Sequence, residues 1–130
     1  MMDKNKIILI EADTALSVVM TEELGRVGFK VWVATDGEAG LSLTRKKKPD
    51  LVLLDIALPK KSGEIVLREL KADPATKDIP VVILTSVGMD ESIKKALQLG
   101  AEDYFVKSQH AVGELIEMVQ NLFMPDGVVK

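Results

Sequence analysis

The sequence predicts an α/β fold: a parallel sheet with helices on both faces. Three observations carry this. Five short apolar runs, at residues 7–10, 31–34, 51–54, 81–84 and 104–106, are mostly near-continuous and rich in β-branched residues. Runs that do not alternate suit strands covered on both faces. The segments between them carry apolar residues at helical spacing. The order is strand then helix, five times over, which calls for right-handed crossovers.

Taken in order, the first strand runs into Glu11-Ala12-Asp13, and Leu16, Val19, Met20, Leu24 and Val27 then form a helical stripe with Gly28 as its stop. Ala39 and Leu43 mark a second helix, which runs into Arg45-Lys46-Lys47-Lys48 before Pro49. Cations suit the C-terminal turn of a helix, so that basic run is expected there rather than in a partner-binding patch. Ile65, Val66, Glu69 and Leu70 suggest the third helix, and Ile93, Ala96, Leu97 and Gly100 the fourth. Val112, Leu115, Ile116, Val119 and Leu122 make the fifth, ended by Pro125 and Gly127. No linker, internal repeat or low-complexity tract interrupts the chain. The expectation is a single domain over 1–130, with its core at about 6–123 and a tail at 124–130.

Composition narrows the function classes. A chain of 130 residues is one domain in size, and it buries roughly two thirds of its unfolded surface without staples. With no Cys and one His, thiolate zinc sites, thiol nucleophiles and multi-His metal sites drop out. Seventeen Lys+Arg against twenty Asp+Glu give a net charge of −3, which does not suit direct nucleic-acid binding. No apolar stretch approaches ~18 residues and the start has no apolar signal segment, so a cytoplasmic domain without membrane insertion is expected. His110 is expected at the surface, and Trp32 against a neighbouring helix or partly exposed.

In an open parallel sheet, ligands bind beyond the carboxyl ends of the strands. Glu11 and Asp13 follow the first strand, Asp55 the third (LVLLDIALPKKSG), Thr85 and Ser86 the fourth (VVILTS), and Lys107 the fifth (DYFVKSQ). Each has an ordinary alternative. The acids and hydroxyls suit turn or helix caps, and a lysine after an edge strand suits solvent. Together they form a phosphoryl-transfer set. A carboxylate attacks phosphorus, a lysine and a metal neutralise the equatorial oxygens, and a hydroxyl donates to one of them. No glycine-rich phosphate loop is present.

The pieces ILIEAD, VGFKVWVATDGEAGL, KPDLVLLDIALPKKSG, IPVVILTS and LGAEDYFVK resemble the receiver domain of two-component response regulators, from about Lys6 to Phe123. The resemblance implies a flavodoxin-like, doubly wound five-stranded sheet in the order 2-1-3-4-5 with five helices. It implies that Asp55 accepts a phosphoryl group from a histidine kinase or phosphotransfer protein. Thr85 and Lys107 would contact that group, and Thr85 and Tyr104 would couple it to the face of the fourth helix, fifth strand and fifth helix, where a downstream partner is expected. Mg²⁺ would be held by Glu11, Asp55 and the backbone carbonyl of Ala57. The resemblance implies a phosphoacceptor rather than an enzyme with turnover, its own pocket carrying phosphotransfer and dephosphorylation.

Two positions depart from the family pattern. The second acid after the first strand is Ala12, and the proline after the lysine is Ser108. A non-proline cis bond costs ~2.5–4 kcal/mol, so Lys107–Ser108 is expected to be trans. Mg²⁺ wants six oxygens, and losing a carboxylate at Ala12 weakens the metal site. Asp13 is the substitute ligand if the chain bends at the strand end; otherwise it caps the helix that begins near Thr14. These departures motivate the alternative of a pseudo-receiver, a binding module with weak or no Mg²⁺-dependent phosphorylation. A third class, the haloacid dehalogenase-like phosphatases, wants a second Asp two residues after the nucleophile, where this chain has Ala57.

Overall fold

The computed structural model describes residues 5–86 and 91–124. Ten elements alternate: β1 (Lys6–Ile10), α1 (Thr14–Arg26), β2 (Lys30–Ala34), α2 (Gly37–Lys47), β3 (Leu51–Asp55), α3 (Gly63–Ala72), β4 (Val81–Thr85), α4 (Glu91–Gln98), β5 (Asp103–Val106) and α5 (Val112–Leu122). The strands form one parallel sheet in the order β2-β1-β3-β4-β5. Each strand is one residue longer than its apolar run, and the added residue is polar: Lys6, Lys30, Asp55, Thr85 or Asp103. Backbone pairing continues past the last greasy residue, so Asp55 and Thr85 belong to the ladder itself.

Alternate residues of the central strands enter two cores. Ile7, Leu9, Leu51 and Leu53 pack with Met20, Leu24, Leu115 and Val119 of α1 and α5. Ile8, Ile10, Val52 and Leu54 pack with Leu41 of α2, Val66 and Leu67 of α3 and Ala96 of α4. Both faces are covered, which is why the runs are continuous rather than alternating.

The helical stripes need correction at their edges. Val19 and Val27 are 44% and 41% exposed, as are Ile65 at 45% and Leu97 at 36%. On α2, Ala39 is exposed and Leu43 half-buried, while the buried residues are Gly37, Gly40, Leu41 and Thr44. A Cβ on Gly40 would lie 2.5 Å from Ile10 Cδ1. The helix lies too close to the sheet there for a side chain, and an apolar-periodicity reading gives glycine no weight. Gly28, at φ +102°, takes the left-handed turn after α1 that an L side chain resists.

The basic run does end α2, with Lys48 at the left-handed C-cap. Arg45 Nε reaches Asp73 at 3.2 Å, and Lys47 Nζ sits 5.1 Å from the centre of the Trp32 ring, which is itself half-buried. His110 is exposed, with Nδ1 2.6 Å from Glu114 Oε2. All peptide bonds among the described residues are trans, Lys107–Ser108 included. No helix among them is long and apolar enough to cross a membrane. Pro125, Gly127 and most of the expected tail lie outside the described residues.

Candidate functional site

Strand order brings Glu11, Asp55, Thr85 and Lys107 to one edge of the sheet. Glu11 follows β1, and its N–H still donates to Ala34 O of β2 at 3.0 Å. Asp55 closes β3 and Thr85 closes β4; Asp55 lies opposite Leu84, so Thr85 stands one step beyond it. Lys107 follows β5, and its N–H donates to Thr85 O at 2.7 Å. The pocket acids are buried, Glu11 at 1% exposure and Asp55 at 5%, and Thr85 is buried beside them at 2%.

The charges converge on one ammonium. Lys107 Nζ donates to both Glu11 oxygens, at 3.0 and 3.2 Å, and stands 3.6 Å from Asp55 Oδ2. Asp55 Oδ1 accepts from the Ala57 N–H at 3.1 Å, and Glu11 Oε2 from the Asp13 N–H at 3.1 Å. Burial holds the Glu11 carboxyl above its ordinary value, and the neighbouring Asp55 carboxyl adds to that; Lys107 and the Asp13 N–H oppose it. By distance, Lys107 pairs more closely with Glu11 than with Asp55.

Ala12 is exposed and offers the pocket no oxygen. Asp13 Oδ1 accepts from Leu16 N–H at 3.0 Å, so its carboxylate caps α1. Among the described residues no group of three or more His, Cys, Asp or Glu could hold a metal ion. The donors near Asp55 are two carboxylates and the Ala57 peptide. That set fits a hard, mostly hydrated cation such as Mg²⁺, which commonly takes one or two carboxylates plus water and phosphate. It is a thin set, and the Lys107 ammonium already neutralises part of it.

The loop after β3 is built to present Asp55. Ser62 caps α3 through Ile65 N–H at 3.3 Å, and Gly63 N–H donates to Ile56 O at 2.9 Å. A Cβ on Gly63 would meet Asp55 O and Ile56 Cα at 2.5 Å, so only glycine lets α3 start this close to the acid. The S-G-E spacing was a readable cap signal; the close approach was not. Tyr104 is half-buried against the α2–α3–α4 core and lines a cleft of about 360 Å³ with Phe105, Gln109, His110 and Glu114. The other role for Thr85 and Ser86, capping α4, falls on residues 87–90, outside the described residues.

A buried strand-end acid facing a lysine from the fifth strand of a 2-1-3-4-5 sheet agrees with what the family model finds. The model of the response regulator receiver domain matches residues 7–120. The chain belongs to that family. The receiver is 42% identical over 103 residues to the transcriptional regulatory protein CpxR of Klebsiella pneumoniae, an overlap covering 79% of this chain and 43% of CpxR. Among solved structures it resembles the beryllofluoride-activated receiver domain of Klebsiella pneumoniae RstA, with TM-score 0.80 and 32% identity over 92% of this chain and all of that one. It also resembles the receiver domain of the sensor histidine kinase PA1611 from Pseudomonas aeruginosa, with TM-score 0.80 and 26% identity over 90% of this chain and 95% of that one; that structure holds magnesium in its active-site cleft. The receiver spans 40% of one curated relative and 44% of another, about two fifths of their length.

Proposed function

We propose that this receiver takes a phosphoryl group onto Asp55 from the phosphohistidine of a histidine kinase or phosphotransfer protein and thereby changes partner binding. The observation that supports it most is the buried Asp55 carboxylate with Lys107 Nζ 3.6 Å away. An Asp55 oxygen attacks phosphorus, the phosphorus–nitrogen bond breaks, and the imidazole leaves. Lys107 moves from Glu11 toward the new phosphoryl oxygens, while the hydroxyl of Thr85, on the adjacent strand, donates to another. Mg²⁺, when bound by Glu11, Asp55 and the Ala57 carbonyl, supplies charge neutralisation on those oxygens. Tyr104 and its cleft carry the change to the α4–β5–α5 face, where a downstream protein docks. No turnover of phosphomonoesters is expected. A cytoplasmic setting, without direct nucleic-acid contact by this domain, completes the reading.

A second reading has its own observation. Ala12 removes one acid and Lys107 already pairs with Glu11, which favours a pseudo-receiver that binds partners without phosphotransfer. Incubation with acetyl phosphate and Mg²⁺, read by intact mass, separates the two. One added phosphoryl group is expected, abolished in Asp55→Asn, and reached at lower Mg²⁺ in Ala12→Asp. No mass shift at saturating donor and metal sinks the phosphoacceptor reading. Partner binding that ignores both Asp55→Asn and beryllofluoride would establish the second.

A further inference from the structure

Ser108 stands directly after Lys107, and its side chain has a definite partner. Its hydroxyl donates to Ser86 O at 2.7 Å. One residue earlier, Lys107 N–H donates to Thr85 O at 2.7 Å. Two consecutive residues of the β5–α5 turn thus hold two consecutive carbonyls, that of Thr85 at the end of β4 and that of Ser86 just past it. The first bond continues the parallel ladder. At the second position the chain is already turning, with Gln109 N–H donating back to Val106 O at 3.2 Å, and the hydroxyl takes over where the ladder ends.

The geometry points to Ser108 as a positioning residue for Lys107, clasping the turn that carries the ammonium to the strand end that carries Thr85. This rests on the phosphoacceptor reading for its consequence, though not for its geometry. Lys107 reaches from the edge strand β5 past β4 and β3 to Glu11 after β1, so a small rotation of its backbone displaces Nζ far more than it moves Cα. Its own N–H fixes the residue on one side only; the Ser108 hydroxyl fixes the other. A proline at 108, the residue expected in the family, has neither hydroxyl nor N–H to offer, so this chain replaces ring stiffness with a hydrogen bond. Ser108 and Ser86 are both exposed. Water competes for such a bond, so its effect is on the aim of Lys107 more than on stability.

The test compares the wild type with Ser108→Ala and Ser108→Thr. The ¹⁵N resonance of the Lys107 ammonium, assigned through Lys107→Arg, reports its fixation without any phosphoryl chemistry. The rate of labelling by acetyl phosphate reports the consequence. Ser108→Ala should broaden or shift the ammonium signal and slow labelling by about three- to tenfold, what one hydrogen bond is worth. Its urea midpoint should stay unchanged, and Ser108→Thr should restore both signal and rate. An ammonium signal in Ser108→Ala identical to wild type overturns the inference, whatever the rate does. Should the wild type take no phosphoryl group, the phosphoacceptor reading fails, and the ammonium signal alone still decides on the clasp.

Discussion

Asp13 and Asp36 follow β1 and β2, and each lends a carboxylate oxygen to the first turn of the next helix, at 3.0 Å to Leu16 N–H and 2.8 Å to Ala39 N–H. Glu11 and Asp55 stand at the ends of β1 and β3 and cap no helix. They turn inward, nearly out of solvent, onto Lys107. The environments pull in opposite directions. The Ala39 N–H holds Asp36 below its ordinary carboxyl value, with Lys60 helping, whereas burial holds Glu11 above it. An acid after a strand is therefore available for chemistry when another residue caps the following helix. Asp13 does that for Glu11, and Ser62 does it for Asp55.

The largest break in this contrast comes from removing the shared cation. Lys107→Met leaves two buried carboxyls without their ammonium. Urea unfolding at pH 8 should show a loss of about 3 kcal/mol. The loss should shrink as pH falls, as Glu11, whose carboxyl burial holds above its ordinary value, takes up a proton. A loss that does not vary with pH would mean the pair is better solvated than its burial indicates.

A smaller effect sharpens the electrostatics. A carboxyl with a raised folded-state pKa contributes stability that is present below its unfolded value and lost as pH rises through the folded one. Glu11→Gln should therefore flatten the decline in stability as pH rises above the ordinary carboxyl range, by at most about 1.4 kcal/mol per pH unit for one proton. Asp36, with its lowered pKa, acts in the opposite sense: its contribution is present above its unfolded value and fades as pH falls. Parallel stability curves for wild type and Glu11→Gln would place the pH dependence elsewhere.

The smallest change tests the boundary between the two sets. Asp13→Ala removes a helix cap and should cost about 1 kcal/mol. The Mg²⁺ concentration needed for half-maximal labelling should stay where it is. If that concentration rises, Asp13 belongs with Glu11 and Asp55 after all.

Much of the arrangement was legible beforehand. The five runs located all five strands, because a strand covered on both faces must be apolar along its whole length. What periodicity missed lies where contact is closest or chemistry begins. Gly40 and Gly63 are buried because helices approach Ile10 and Asp55 more closely than any side chain allows. Val18, Val19 and Ile65 are apolar yet exposed, because the spacing of residues along a helix does not say how wide a face the sheet will cover. Ser108 was visible as a departure, but its partner, Ser86 O, lies 22 positions away.

The sequence by itself determined the strand and helix order, the family, and the identity of the groups at the strand ends, since these follow from local patterning and motif spacing. Only the tertiary structure decided what each group does with its neighbours. Asp13 and Glu11 are two residues apart, but one caps α1 and the other meets Lys107, 96 positions away. The reason is physical: a carboxylate's behaviour is set by the donors, charges and burial around it, and most of those arrive from strands distant in sequence.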